Sequence, residues 1–147
     1  MQELNLSNLI SLNYKIAKLD DKILEIRERL TSPKNQIISD MPRGGGTTEN
    51  ALDNALSKIE YYETRKSYLN DLLVSNWLIC EDILISCNIS PEQIELFRYR
   101  YFYGLPWKKC IVAMAKHYSN ESWSESKGYR LHREALSSCI KNGVKVC

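Results

Sequence analysis

The sequence predicts an all-α protein: a long antiparallel helical hairpin, coiled-coil-like, followed by a C-terminal helix-turn-helix module. Three observations carry that prediction. Apolar residues step along 9–30 at alternating intervals of three and four, a helical spacing rather than the two-residue alternation of a half-buried strand. Proline and glycine gather at a few places, with Pro33, Pro42 and Gly44 to Gly46 in one segment, Pro91 alone, and Gly104 with Pro106. Charge is unevenly divided. Residues 1–97 hold 10 Lys and Arg against 15 Asp and Glu, a net of −5, and residues 98–147 hold 10 against 3, a net of +7.

The first helix follows from Leu9, Leu12, Ile16, Leu19, Ile23, Ile26 and Leu30, an unbroken heptad seam. It needs about 25 residues, or about 37 Å, with Ser7 as candidate N-cap and Pro33 just past its end. A seam this narrow requires a partner helix. The segment 32–47 cannot continue the helix and is expected to be a loop. It is either a flexible connector or, through Arg43 and the glycine run, a contact for a partner, since long loops often carry function.

A second helix is expected from Thr48 to about Cys87. Leu52, Ala55, Ile59, Tyr62, Leu69, Leu73, Cys80 and Ile83 keep the seam, while Lys66 and Asn76 fall on it and fix register at a cost in stability. At about 40 residues, or about 60 Å, it overhangs the first helix. Its last turns, with Trp77, Leu78, Ile79, Ile83 and Leu84, need cover from the C-terminal module or from a second subunit. The hairpin scaffold is thus placed at 1–87 and the module at 88–147; a continuous parallel coiled coil is the competing arrangement.

Within the module, Ser90-Pro91-Glu92-Gln93 is a helix start, with a capping Ser, Pro in the first position and an acid in the first turn. That helix presents Ile94, Leu96, Phe97, Tyr101 and Phe102 to the core and ends at Gly104. A fourth helix opens at Pro106 and Trp107, with Cys110, Ile111, Met114 and Tyr118 inward and Lys108, Lys109 and Lys116 outward. Ser124 caps the last helix, which ends at Gly143. Leu131, Ala135, Leu136, Cys139 and Ile140 form its apolar side. Ser126, Lys127, Tyr129, Arg130 and Arg133 lie in its N-terminal half, where a recognition helix meets bases and phosphates. Together with Lys108 and Lys109 they are the expected DNA-binding residues.

Other chemistry finds little support. His117 and His132 are the only histidines, no two of the five cysteines are spaced Cys-x-x-Cys, and nothing resembles a nucleophile elbow or a phosphate-cradling glycine loop followed by Lys. No catalytic residue, metal or cofactor is expected. His132 reads as a phosphate or packing contact, and the aromatic run from Phe97 to Trp107 as core rather than a base-stacking platform. The cysteines read as free thiols, three of them small hydrophobes in helices, suited to a reducing compartment. The N-terminal stretch MQELNLSNLISLNYK has neither a basic leader nor an apolar run long enough to span a membrane.

The words SDMPRGGG (39–46), RYFYGLPW (100–107) and YRLHREAL (129–136), in that order and with a long helical segment between the first two, resemble the phage-encoded late-gene transcription regulators of the ArpU/RinA type from Gram-positive hosts. The C-terminal part of those proteins is similar to the promoter-reading fourth region of bacterial sigma factors. The resemblance implies a support helix starting at Trp107, a helix from Ser124 in the major groove, double-stranded DNA and host RNA polymerase as partners, and the host cytoplasm as location. Two departures stand out. The stretch from Met114 to Ser124 is longer than a tight turn, and Gly128 occupies a place where such proteins put an apolar core residue. A homodimer through the hairpin is compatible with the heptad seam. A protein-interaction module that binds a host protein through that hairpin is the reading from a different functional class.

Overall fold

The computed structural model describes residues 2–31, 47–118 and 122–147. The SDMPRGGG segment and part of the stretch preceding Ser124 lie outside the described residues. The chain is all-α, with five helices among the described residues: α1 (Leu6–Thr31), α2 (Thr47–Ser86), α3 (Pro91–Phe97), α4 (Trp107–His117) and α5 (Glu125–Lys141). Two short strands, β1 (Glu3–Leu4) and β2 (Lys145–Val146), pair in parallel with Leu4 opposite Val146.

The chain forms two compact units, one of residues 14–71 and one of residues 1–13 together with 72–147. In the first, α1 and α2 run antiparallel: Asp20 pairs with Lys66 at 2.6 Å and Arg27 with Glu63 at 2.6 Å. Exposed ion pairs contribute at most about 1 kcal/mol each. The seam residues Ile23, Ile59 and Leu69, all buried, therefore carry most of the association. The partner of Lys66 explains a polar residue on the seam, since its ammonium reaches the carboxylate of the facing helix. Leu52, expected on the seam, is exposed.

The second unit buries the last turns of α2. Trp77, Ile83 and Leu84 are covered within it; Trp77 stacks on Phe102 at 5.9 Å, and Arg98 bridges Glu81 and Glu95. Phe102 of the C-terminal module supplies cover for Trp77, while Leu78 and Ile79 stay 54% and 57% exposed. The compact units accordingly divide within α1 and α2 rather than at residue 87, because the end of α2 shares a core with the helices that follow it.

The front of α1 is capped by Asn5, whose Oδ1 accepts from the Asn8 amide at 3.0 Å, and not by Ser7. The amides of Leu6 and Ser7 both donate to the carbonyl of Cys147, at 3.0 and 3.1 Å. Two of the four orphan donors at this helix start thus find their acceptor at the far end of the sequence. Residues 1–13 are tied in this way to the end of α5, where Val144 is buried and its amide donates to the Cys139 carbonyl.

Ser90 caps α3 as expected, and the structure adds a capping box, with the Gln93 amide and side chain engaging Ser90. The helix does not stay α-helical up to Gly104. From Arg98 to Phe102 it widens into a π-helical turn, closed by the Tyr103 amide on the Arg98 carbonyl. The Tyr101 carbonyl, left open at that end, accepts from Asn13 Nδ2 at 2.6 Å. Gly104 follows with φ +68°, and a Cβ there would lie 2.8 Å from the side chain of Asn13. Cys80, Cys87, Cys110 and Cys139 are free and buried, as befits small hydrophobes.

Gly104→Ala meets both obstacles, a left-handed backbone and a crowded side chain. It is expected to lower stability by about 1–3 kcal/mol, seen in urea unfolding as a shifted midpoint at unchanged slope.

Candidate nucleic-acid interface

Helix α4 begins at Pro106, which offers no side-chain cap, and its first turn contains Lys108 and Lys109, both exposed. Cations there oppose the helix dipole, so their position weakens the helix start unless something else is gained. Helix α5 begins with Ser124, whose Oγ accepts from the Lys127 amide at 3.2 Å. At about 100° per residue, Ser126, Tyr129, Arg130 and Arg133 fall within an arc of about 100°, and all four are exposed. The expected residues of α5 therefore share one face, with the exception of Lys127.

Trp107 joins the two clusters. It is the first residue of α4, and its ring lies 4.9 Å from that of Tyr129. This contact packs the start of α4 against α5, while Lys108 and Lys109, exposed, stand about 100° and about 160° round α4 from Trp107, so the shared face is that of the four α5 residues, with the two lysines on the neighbouring helix start. The Arg100 guanidinium sits over the Trp107 ring at 5.4 Å and donates to the Leu105 carbonyl at 3.0 Å. It is committed to holding the corner between the π-helical turn and α4.

Lys127 belongs elsewhere. Its ammonium lies 3.6 Å from Glu92 and 4.3 Å over the ring of Trp123, and its side chain is mostly buried. A lysine so engaged fixes the first turn of α5 against α3 instead of offering its charge outward. Gln93 reinforces the same junction, donating to the Leu131 carbonyl at 3.1 Å. Arg130 stands 3.9 Å from Glu134, with both side chains more than half exposed. Ile140, expected on the apolar side, is 60% exposed.

His132 resolves to a packing residue. Its ring stacks on Phe97 at 4.8 Å and meets the edge of Trp107 at 5.0 Å, and its Nε2 is 2.6 Å from the Tyr101 hydroxyl. Burial, with the nearby Arg100 charge, lowers its pKa to about 4, while burial pushes Tyr101 up to about 12. A neutral imidazole and a protonated phenol are thus the stable pair; of the aromatic run, Phe97 and Tyr101 are core as expected, while Tyr103 is 56% exposed. His117 is exposed and packs edge-on against Tyr118. Among the described residues no group of three His, Cys, Asp or Glu is placed to hold a metal ion.

Sequence reasoning singled out Gly128 as a departure but not what it makes room for. It is buried, and a Cβ on it would collide with Cδ1 of Ile111. A core side chain is present at that point of the packing, but α4 supplies it. An isolated Gly in a strongly periodic helix was the available signal, since it costs about 1 kcal/mol relative to Ala unless close packing requires it. The roles of Glu92 and Glu134 as counter-charges were also missed, and the spacing of Glu92 from Lys127 gives no hint of their meeting.

Two outcomes follow from this packing. Gly128→Ala is expected to cost about 1–2 kcal/mol in the wild-type background. In an Ile111→Val background, which lacks the colliding methyl, the same change should stabilise by up to about 1 kcal/mol; a double-mutant cycle read by denaturant unfolding checks the reversal of sign. His132, with a folded pKa of about 4 against an ordinary 6.5, contributes stability that is intact above pH 6.5. That contribution is lost as pH falls towards 4, because the unfolded chain takes up the proton first. Unfolding free energies measured across this window should fall less steeply for His132→Gln than for the wild type.

No family model matches the chain, and neither a curated protein nor a solved structure shows a match to it. What these residues do must therefore follow from their own arrangement.

Proposed function

We propose that the C-terminal unit binds double-stranded DNA and that the protein is a sequence-specific, non-catalytic transcription regulator. The observation that carries this reading is the exposed face of Ser126, Tyr129, Arg130 and Arg133 on α5, next to a helix start that bears the exposed Lys108 and Lys109 and touches that face through Trp107 and Tyr129. Cations grouped on one exposed face suit a phosphate backbone, and polar groups on an exposed helix suit the major groove. The resemblance to late-gene regulators of the ArpU/RinA type supports a role in phage transcription, with host RNA polymerase as partner in the bacterial cytoplasm. A homodimer would match a two-fold operator. No helix of the described residues is long and apolar enough to cross a membrane.

A second reading is favoured by the exposed Leu78, Ile79 and Ile85 of α2, which suit a protein partner. Under that reading the chain is an interaction module, and DNA affinity is absent.

Titration of a labelled random duplex at about 50 and 200 mM salt separates the two. Under the DNA-binding reading the salt slope should shrink by about 0.9 for each phosphate contact removed. Arg130→Ala with Arg133→Ala is expected to weaken binding and flatten the slope, and Glu134→Gln to strengthen binding by releasing Arg130. Lys127→Ala should leave the slope alone and lower thermal stability. Unchanged affinity in the double arginine variant would remove α5 as the contact surface.

A further inference from the structure

We infer that Tyr129 discriminates sequence by packing its ring on a thymine C5-methyl group, with Trp107 as the residue that positions it; this rests on the duplex-binding reading above. Tyr129 is 47% exposed although its ring is packed at 4.9 Å against Trp107. Trp107 is itself held, by the Arg100 guanidinium over its ring and by the edge-on ring of His132. The phenol ring is therefore supported on one side and partly open to solvent, on a face shared with Ser126, Arg130 and Arg133 and with the exposed Glu125 one turn before it.

An apolar ring on such a surface has few partners in a duplex. Phosphates and sugars are polar, and in the major groove the one apolar group on a base edge is the thymine methyl. Because Trp107 already restrains the side chain, ordering it on binding costs little further rotamer entropy. Arg133 lies one helical turn beyond Tyr129, at i+4 on the same face, so a base pair read by the ring would adjoin one within reach of a guanidinium. The competing role for Tyr129, a hydroxyl donated to a phosphate, would not depend on sequence.

The test selects a binding site for the wild-type protein from duplexes with a randomised core, then replaces each dT of the selected site by dU, which removes the methyl alone. One position is expected to lose about fourfold in affinity, the equivalent of one buried methyl. Tyr129→Phe should keep that loss, and Tyr129→Ala should abolish it while still binding. Trp107→Leu should reduce the dT to dU ratio by more than it weakens binding to the dU duplex, whereas a purely structural Trp would weaken both alike and leave the ratio intact. The inference is overturned if no position responds to dU, if Tyr129→Ala keeps the ratio, or if Tyr129→Phe weakens all duplexes equally. Failure of the wild-type protein to enrich any duplex would instead remove the DNA-binding reading, and this inference with it.

Discussion

The close crossing of α4 and α5 at Gly128 is the constraint on which the C-terminal unit depends. Ile111 occupies the space that a side chain at 128 would take, so the two helices approach more nearly than two ordinary side chains allow. Trp107 lies four residues before Ile111, on the same side of α4, and Tyr129 follows Gly128 directly. The approach that brings Ile111 onto Gly128 therefore also brings Trp107 onto Tyr129. The core contact at Gly128 and the support of Tyr129 by Trp107 are consequences of one geometric fact. A larger residue at 128 would act on both together, which is why helix propensity alone misjudges this position.

Around that crossing the polar groups are few and committed. The Tyr101 hydroxyl and the His132 imidazole satisfy each other inside the aromatic cluster, where an unpaired polar atom would cost about 1–3 kcal/mol. The Tyr101 carbonyl is satisfied by Asn13 of α1, and the first amides of α1 by Cys147 beyond α5. Residues 1–13 are thus part of the hydrogen bonding of the C-terminal unit. A π-helical turn, which gives a longer-range ladder than an α-helix, leads directly to the Gly104 and Pro106 corner from which α4 starts.

Local signals made much of the fold legible. The seam from Leu9 to Leu30, the Ser90 cap with Pro91 behind it, the left-handed Gly104 and the Ser124 cap are each encoded within a few residues, and each appears where the spacing puts it. What was not legible depends on partners distant in sequence. Asn5 displaces Ser7 as the cap because the amides of Leu6 and Ser7 are taken by Cys147. Lys127 turns away from the outer face because Glu92, on another helix, lies within reach. Pattern could assign Ser126, Tyr129, Arg130 and Arg133 to one helical face, since that needs only a period of 3.6; it could not say that Trp107 of α4 would pack on Tyr129.

The charge arrangement has a consequence for how the surface would behave towards nucleic acid. Of the five cations first assigned to it, Lys127 is tied to Glu92 and Arg130 stands near Glu134, which leaves Lys108, Lys109 and Arg133 as the assigned cations without such a carboxylate beside them among the described residues. Phosphate attraction of this kind does not depend on sequence, so each carboxylate that occupies a cation lowers affinity for every duplex equally. Base-edge contacts are not lowered in the same way. Under the proposed binding to duplex, a restrained aromatic ring and partly neutralised cations would shift the balance from general attraction towards discrimination, with Glu92 and Glu134 acting in the same direction as Tyr129.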